Sequence, residues 1–379
     1  MKKIIVATDS FKGTLSARQA CRLIAEEAAA VFPEAQVLSV PIADGGEGLV
    51  DALLASFRGE RVGVRTFDPL GRRLRAEYAL LEGGAALIEM AAAGGLPLLA
   101  ENERDPMLTS TFGVGRLILD AVQRGADPIY VGLGGSATND GGAGAAAALG
   151  LRFENGVGQA VTTGGGLREI ERIDRREFDR LGLDGKLIFL VDVKNPLCGP
   201  NGAAAVFGPQ KGASPEQVRV LDLGLRQLAG VIENAVGHDF SELEGIGAAG
   251  GFALPFAAFA GARIVGGIDF VLDRLSFDQK LEQTDLVISG EGRTDAQSAM
   301  GKAISEVARR AKRAGAHVAV ISGLLGEGAE ALKEFGVDDL VQTAPPGQTL
   351  AEALARAETN LRAASRAYLE GLKSSRASG

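Results

Sequence analysis

At 379 residues the chain is longer than one hydrophobic core ordinarily supports, so two domains of roughly 150 to 200 residues are expected. Apolar residues make up 46%, glycines number 53 and tryptophan is absent, a profile that fits a small-residue-rich α/β enzyme and excludes fibrous, repeat and disordered classes. Forty basic residues against 48 acidic ones give a net charge of −8, with no basic cluster interleaved with aromatics, which argues against nucleic acid and membrane surfaces as partners.

The opening MKKIIVATDSFKG holds an apolar run of only Ile4 to Ala7, too short for a signal peptide. No stretch reaches the roughly 18 apolar residues of a membrane span. Together with Cys21 and Cys198, which share no metal-ligand spacing with His238 and His317, this predicts a cytoplasmic protein with reduced thiols. Apolar, β-branched runs at Lys3–Ala7, Gln36–Val40, Pro128–Val131, Leu187–Val193, Asp285–Ser289 and His317–Ser322 read as buried parallel strands. Helical patterns at Leu15–Val31, Thr111–Arg124, Pro215–Ala235 and Gly301–Ala314 fall between them, and an amphipathic one runs over Leu350–Leu372. Strand and helix alternating at this spacing predict right-handed crossovers and layered α/β architecture, with ligands at the carboxyl ends of the strands. From Arg61 to Met90 the rhythm breaks into antiparallel alternation with a turn at Gly83–Gly84. That break predicts one domain from both termini, 1–65 plus 285–379, and a second, 66–284, inserted into it, with the active site in the cleft between them.

Six polar, glycine-rich segments follow the predicted strands. In ATDSFKGTLSA, Asp9, Ser10 and Lys12 lie just beyond the first strand, with Thr14 or Ser16 able to cap the next helix. PIADGGEG sets Asp44 and Glu47 around two glycines, a pair able to hold a hydroxylated substrate or a metal-bound water. YVGLGGSATNDGGAGAAAAL is a strand emptying into a glycine loop that opens a helix. Its Gly134, Gly135, Ser136, Thr138, Asn139, Asp140 and Gly142 offer close backbone approach, N–H groups and hydroxyls to a phosphate. FLVDVKNPLCGPNGAAAVFGPQKGA places Asp192, a candidate base, at a strand end, then Asn195 and Lys211. GIGAAGG, residues 245–251, serves packing as readily as ligand contact. LVISGEGRTDAQSAMGKA ends a strand in Glu291, Arg293 and Asp295, with Gln297, Ser298 and Lys302 before a helix. The chain lacks GxxxxGK[ST], kinase HRD and DFG sets, GxSxG, HExxH and CxxC, and neither histidine adjoins a candidate nucleophile.

The ordered set DSFKG, ADGGEG, GLGGSATNDGGAG, DVKNPLCGPNGAA with FGPQKGA, GAAGG and ISGEGRTDAQSAMGK closely resembles the bacterial glycerate kinase family of the glyoxylate- and galactarate-pathway type, from about Ile4 to Ser322. Two departures, FALPF after GAAGG and Thr8 where proline is common, touch no charged candidate. The resemblance implies phosphorylation of D-glycerate by ATP, at the 2-hydroxyl, and two α/β domains: a discontinuous one with a Rossmann-like parallel sheet and an inserted flavodoxin-like one. Phosphorylation at the 3-hydroxyl or of another small hydroxy acid is the rival reaction, and a sugar-acid or nucleotide sensor the rival class.

Phosphoryl transfer needs positioning and charge neutralisation. The 134–144 loop is therefore expected to bind ATP phosphates, and Lys12 and Arg293 to neutralise the substrate carboxylate or the migrating phosphoryl group. Asp192 is expected to orient or deprotonate the glycerate hydroxyl. Substrate contacts are expected from Asp9, Ser10, Asp44, Glu47, Asn195, Lys211, Glu291, Asp295, Gln297 and Lys302. ATP implies Mg2+, whose ligands the residues leave open among Asp295, Asp140 and Glu47. A homo-oligomer is compatible with all of this.

Overall fold

A computed structural model describes residues 1–43, 45–46, 48–299 and 303–377. In chain order the strands are β1 (Lys3–Val6), β2 (Gln36–Ser39), β3 (Gly59–Phe67), β4 (Arg73–Leu81), β5 (Ala86–Glu89), β6 (Ile129–Gly132), β7 (Arg152–Asn155), β8 (Ile170–Asp174), β9 (Leu187–Leu190), β10 (Arg263–Val265), β11 (Leu286–Ser289), β12 (Arg293–Thr294), β13 (His317–Ser322), β14 (Leu324–Leu325) and β15 (Asp339–Gln342). The chain divides into two compact units. The first is Met1–Asp44, Asp51–Ser56 and Ile268–Gly379, and the second Gly45–Val50 and Phe57–Gly267. The return to the first unit thus falls at Ile268 rather than near 285. The helix Gly267–Arg274 is tied there by Arg310, which reaches Asp269 and Asp273 at 2.6 Å each.

The first unit has a fully parallel five-stranded sheet in the order β15-β13-β11-β1-β2. Its central strands β1, β11 and β13 are short and apolar because both faces are covered. Ile4, Val6, Leu286, Ile288, Ala319 and Ile321 form one core with Leu23 and Ile24 of the helix Ala17–Val31 and with Leu361 and Leu369 of the C-terminal helix. A reciprocal cap starts the helix Ala17–Val31: Gln19 N donates to Ser16 Oγ at 3.2 Å, and Ser16 N to Gln19 Oε1 at 2.9 Å. Numbered within this unit, the strand order is 2-1-3-4-5, the doubly wound order of flavodoxin-type folds, with its switch point between β1 and β11. The α/β class and the parallel sheet built from both termini are as expected. The flavodoxin-type order lies in this terminal unit and not in the inserted one, because β11, β13 and β15 all add beyond β1 on the side away from β2.

The second unit has a mixed sheet, β10-β9-β6-β5-β4-β3, in which β3, β4 and β5 run antiparallel to their neighbours in that series and β5, β6, β9 and β10 are parallel. The antiparallel edge is the alternating segment of the sequence, and its β3 reads exposed and buried in turn as a one-faced strand should. A core of Val131, Phe189, Phe252, Phe256, Leu225 and Leu228, with many alanines, fills the space between this sheet and the helix Pro215–Val236. Unpredicted are the charged hairpin β7–β8 and the short strand β10.

Candidate active site

In the second unit the carboxyl ends of three parallel strands stand in one row, Glu89 beside Gly132 beside Leu190. Two residues beyond that row the chain reaches Gly134 on one strand and Asp192 on the next. Leu133 N donates to Leu190 O at 3.1 Å, which holds the two exits together. Gly46 lies over this edge: a Cβ at Gly134 would come within 2.4 Å of Gly46 Cα, so only glycine permits the approach. Glu89, which the sequence reading did not single out, accepts from Val50 N at 2.8 Å and fastens Val50 to the sheet. Its signal was position alone, a carboxylate closing a buried strand.

The 134–144 loop differs from the expected open phosphate cradle. Gly135 is exposed and Gly134 half-buried, but Thr138, Asn139 and Asp140 are fully enclosed. Asp140 Oδ2 accepts from Thr111 N at 2.8 Å, Thr111 Oγ1 at 2.7 Å and Gly144 N at 3.2 Å, while Oδ1 accepts from Gly142 N at 3.2 Å. The N–H groups that sequence reading offered to a phosphate are thus taken by the chain's own carboxylate. Burial pushes the Asp140 carboxyl up from the usual range, against the pull of those four donors. This side chain is therefore unsuited to hold Mg2+ or nucleotide, and Asn139 and Thr138 are likewise closed off by the 245–251 segment. There Gly250, at φ +70°, sits so close that a Cβ would fall 2.4 Å from Thr138 O. The Thr138 hydroxyl and the Asn139 amide have no hydrogen-bond partner among the described residues.

Lys211 is placed differently from expectation too. Its side chain is 2% exposed and Nζ donates to Ser136 Oγ at 2.9 Å and Thr138 O at 2.6 Å, so it bears on the loop and not on open solvent. Asp192 is half-buried, and Asn195 Nδ2 donates to Asn201 O at 2.8 Å. A cavity of about 340 Å³ on this unit, around Asp68–Gly71, Ser110 and Phe112, contains none of the candidate residues among the described ones.

In the first unit the candidates gather at the switch point. Beyond β1, Asp9 N donates to Gly290 O at 2.9 Å, setting the DSFKG turn beside the end of β11. Asp9 is 7% exposed and its Oδ1 accepts from Ser10 N at 2.6 Å, whereas Lys12 is exposed. Gly292 lies against the Phe11–Lys12 backbone, so the two polar segments adjoin. Glu291 Oε1 accepts from Ser298 Oγ at 2.6 Å and from Thr294 Oγ1 at 3.2 Å, and Thr294 Oγ1 is 2.7 Å from Ser322 Oγ. Arg293, two-thirds exposed, stands 3.4 Å from Asp295. Ser289, at the end of β11, is fully buried with its hydroxyl unpartnered among the described residues. Gln297 lies on the turn Ala296–Ala299. Asp44, Glu47 and Lys302 lie outside the described residues.

Each unit thus presents polar side chains at the carboxyl ends of parallel strands, and the family model for the glycerate kinase family matches residues 4–373. The chain belongs to the glycerate kinase family. It is 42% identical over 368 residues to a glycerate kinase of Halalkalibacterium halodurans, covering 97% of each chain. It is 41% identical over 366 residues to a glycerate 2-kinase of Escherichia coli, covering 96% of each. A crystal structure described as a putative glycerate kinase 2 from Salmonella typhimurium LT2 superposes with a TM-score of 0.84 at 40% identity, over 99% of both chains. Among the described residues no helix is long and apolar enough to cross a membrane. The enzyme is therefore a glycerate kinase of α/β architecture.

Proposed function

We propose that this kinase transfers the γ-phosphoryl group of ATP to the 2-hydroxyl of D-glycerate, giving 2-phospho-D-glycerate and ADP. The 2-hydroxyl assignment is supported by the Escherichia coli relative, a glycerate 2-kinase with which 96% of this chain aligns. The observation that carries the mechanism is the row of strand ends: Gly134–Ser136 and Asp192 leave adjacent parallel strands at one edge. A phosphate resting on the Gly134–Ser136 turn, whose Gly135 is exposed, and a hydroxyl facing Asp192 then belong to neighbouring exits. Asp192 orients the hydroxyl and takes its proton as the oxygen attacks. Lys12 and Arg293 balance the carboxylate of glycerate and the charge moving between oxygens.

Mg2+ suits the oxygen donors of the first unit. Asp295, partly exposed at the switch point, would share the ion with phosphate oxygens, and the ion when bound screens the charge of the triphosphate. Glu291 is less available, since Ser298 and Thr294 already donate to it. The reaction is proposed to take place in the cytoplasm, in keeping with two free thiols. Burial pushes the Cys21 thiol up to about 11, so that one is an inert core group.

The test is ADP release across a panel of three- and four-carbon hydroxy acids, with the product of D-glycerate identified by phosphorus NMR against both phosphoglycerates. D-glycerate is expected to turn over fastest and to give the 2-phospho product. A 3-phospho product, or a better substrate elsewhere in the panel, would replace this assignment.

A further inference from the structure

Lys211 is enclosed within the second unit and holds the glycine loop at the buried Ser136 and Thr138, next to its exposed Gly135. It closes the short turn Pro209–Lys211, opened by proline and followed by Gly212 at φ +95°, so its reach is fixed by a stiff backbone. From there Nζ grips Ser136 Oγ and the Thr138 carbonyl. Gly134, two residues before Ser136, is fixed on its other side by the close passage of Gly46. The exposed Gly135 is therefore suspended between two anchored neighbours. We infer that Lys211 is a positioning residue for the phosphoryl donor: by holding Ser136 and Thr138 it sets the Gly134–Ser136 turn on which the phosphates rest, and it does so without touching the nucleotide.

The inference rests on the proposed assignment of that turn to ATP. It accounts for a buried ammonium that the reaction does not otherwise use, and for a loop whose helix N–H groups are already occupied by Asp140. An enclosed cation under the turn also attracts a triphosphate from below. The charged groups of the elements packed around it are Asp140 in the loop, Arg104, which lies against Gly212, and Asp105, which accepts from Gln217. Burial pushes the Lys211 amine down to about 7, and the Asp140 carboxylate holds it partly up. The anchor therefore changes charge near neutral pH, and a bound phosphate favours the charged form.

The experiment compares the full-length wild type with Lys211→Met and Ser136→Ala. It measures kcat and both KM values from about pH 6 to about 9, and ATP binding by calorimetry. In Lys211→Met the KM for ATP should rise about tenfold or more, the worth of one charge-assisted hydrogen bond, with the KM for D-glycerate little changed. Wild-type kcat/KM for ATP should fall as pH rises through about 7, and Lys211→Met should lack that inflection. Ser136→Ala keeps the amine and loses one acceptor, so it should raise the KM for ATP less and retain the inflection. A folded Lys211→Met with wild-type KM for ATP, an effect confined to glycerate, or an inflection that persists overturns the inference. Should Lys211→Met not fold, an unchanged KM for ATP in Ser136→Ala together with a flat wild-type profile overturns it. If the wild type itself binds no ATP, the assignment of the turn to ATP fails and the inference with it, whatever the variants do.

Discussion

Two aspartates at neighbouring strand exits illustrate how placement divides chemistry from structure. Asp140 is fully buried and accepts four hydrogen bonds, two of them from the start of the helix Phe112–Gln123 and two from its own loop. Asp140→Asn turns an amide donor toward those donors, and should cost about 2 to 3 kcal/mol in urea unfolding, with activity lost in proportion to folding. Asp192→Asn should stay folded and lower kcat by about 10² or more, because it removes the group proposed to face the hydroxyl. A stable, inactive Asp140→Asn would reverse the two roles. Lys211 adds a pH dependence with a definite sign. Its amine titrates at about 7 in the fold and at an ordinary lysine value in the unfolded chain. Between those values the unfolded chain holds a proton that the folded chain has released, so raising the pH stabilises the fold. Wild type should therefore gain stability relative to Lys211→Met from about pH 7 to about 10, as read from urea midpoints, and a parallel pair of profiles would show that the amine is not so perturbed.

At the scale of elements, one arginine ties three helices of the first unit together, Gly267–Arg274, Phe277–Leu281 and its own. Arg310, 8% exposed on the helix Ala303–Arg313, reaches Asp269 and Asp273 at 2.6 Å, Glu306 at 3.0 Å and Asp278 at 3.3 Å. The three aspartates are largely exposed, so screening discounts them, but Glu306 is nearly buried and takes its one enclosed partner from Arg310, the exposed Arg309 and Arg313 sharing it from outside. Arg310→Met should cost about 1.5 to 3 kcal/mol, most of it from Glu306, and the loss should shrink only in part at high salt. A loss abolished by salt would assign the effect to the surface aspartates instead. Elements with a local signal were legible: dense β-branched runs gave β1, β6, β11 and β13, and of the two caps offered, Thr14 and Ser16, it is Ser16 that starts the helix Ala17–Val31. The strand β15, half-buried and reading DLVQ, carries too little apolar contrast to be seen, and the helical pattern over Leu350–Leu372 does not reveal the break at Arg356. The loop's true state was hidden for another reason. What closes it comes from Thr111, Lys211 and Gly250, up to more than a hundred residues away, and spacing along the chain carries no record of such contacts.

For the whole molecule, the order in which the chain supplies strands decides which unit can stand alone. The second unit is nearly continuous, Phe57–Gly267 with the strip Gly45–Val50, and all six strands of its sheet lie within it. The first unit begins the chain but is unfinished until β11, β13 and β15 arrive more than two hundred residues later. Without them β1 lacks its neighbour on one side, and Ile4, Val6, Leu23 and Ile24 lose Leu286, Ile288, Ala319, Ile321 and the C-terminal helix. Each large side chain so returned to water forfeits about 1.5 to 3 kcal/mol, too much for the two remaining strands and one helix to bear. A chain stopped after Gly267 should therefore keep a protease-resistant core that starts near residue 45, while the first 44 residues are digested. Mass spectrometry of the limit products identifies the boundary. Survival of the N-terminal segment in that truncated chain would mean that β1, β2 and the helix between them form a stable piece without the rest of their sheet, and folding of the first unit would then begin at the N-terminus and not wait for β11.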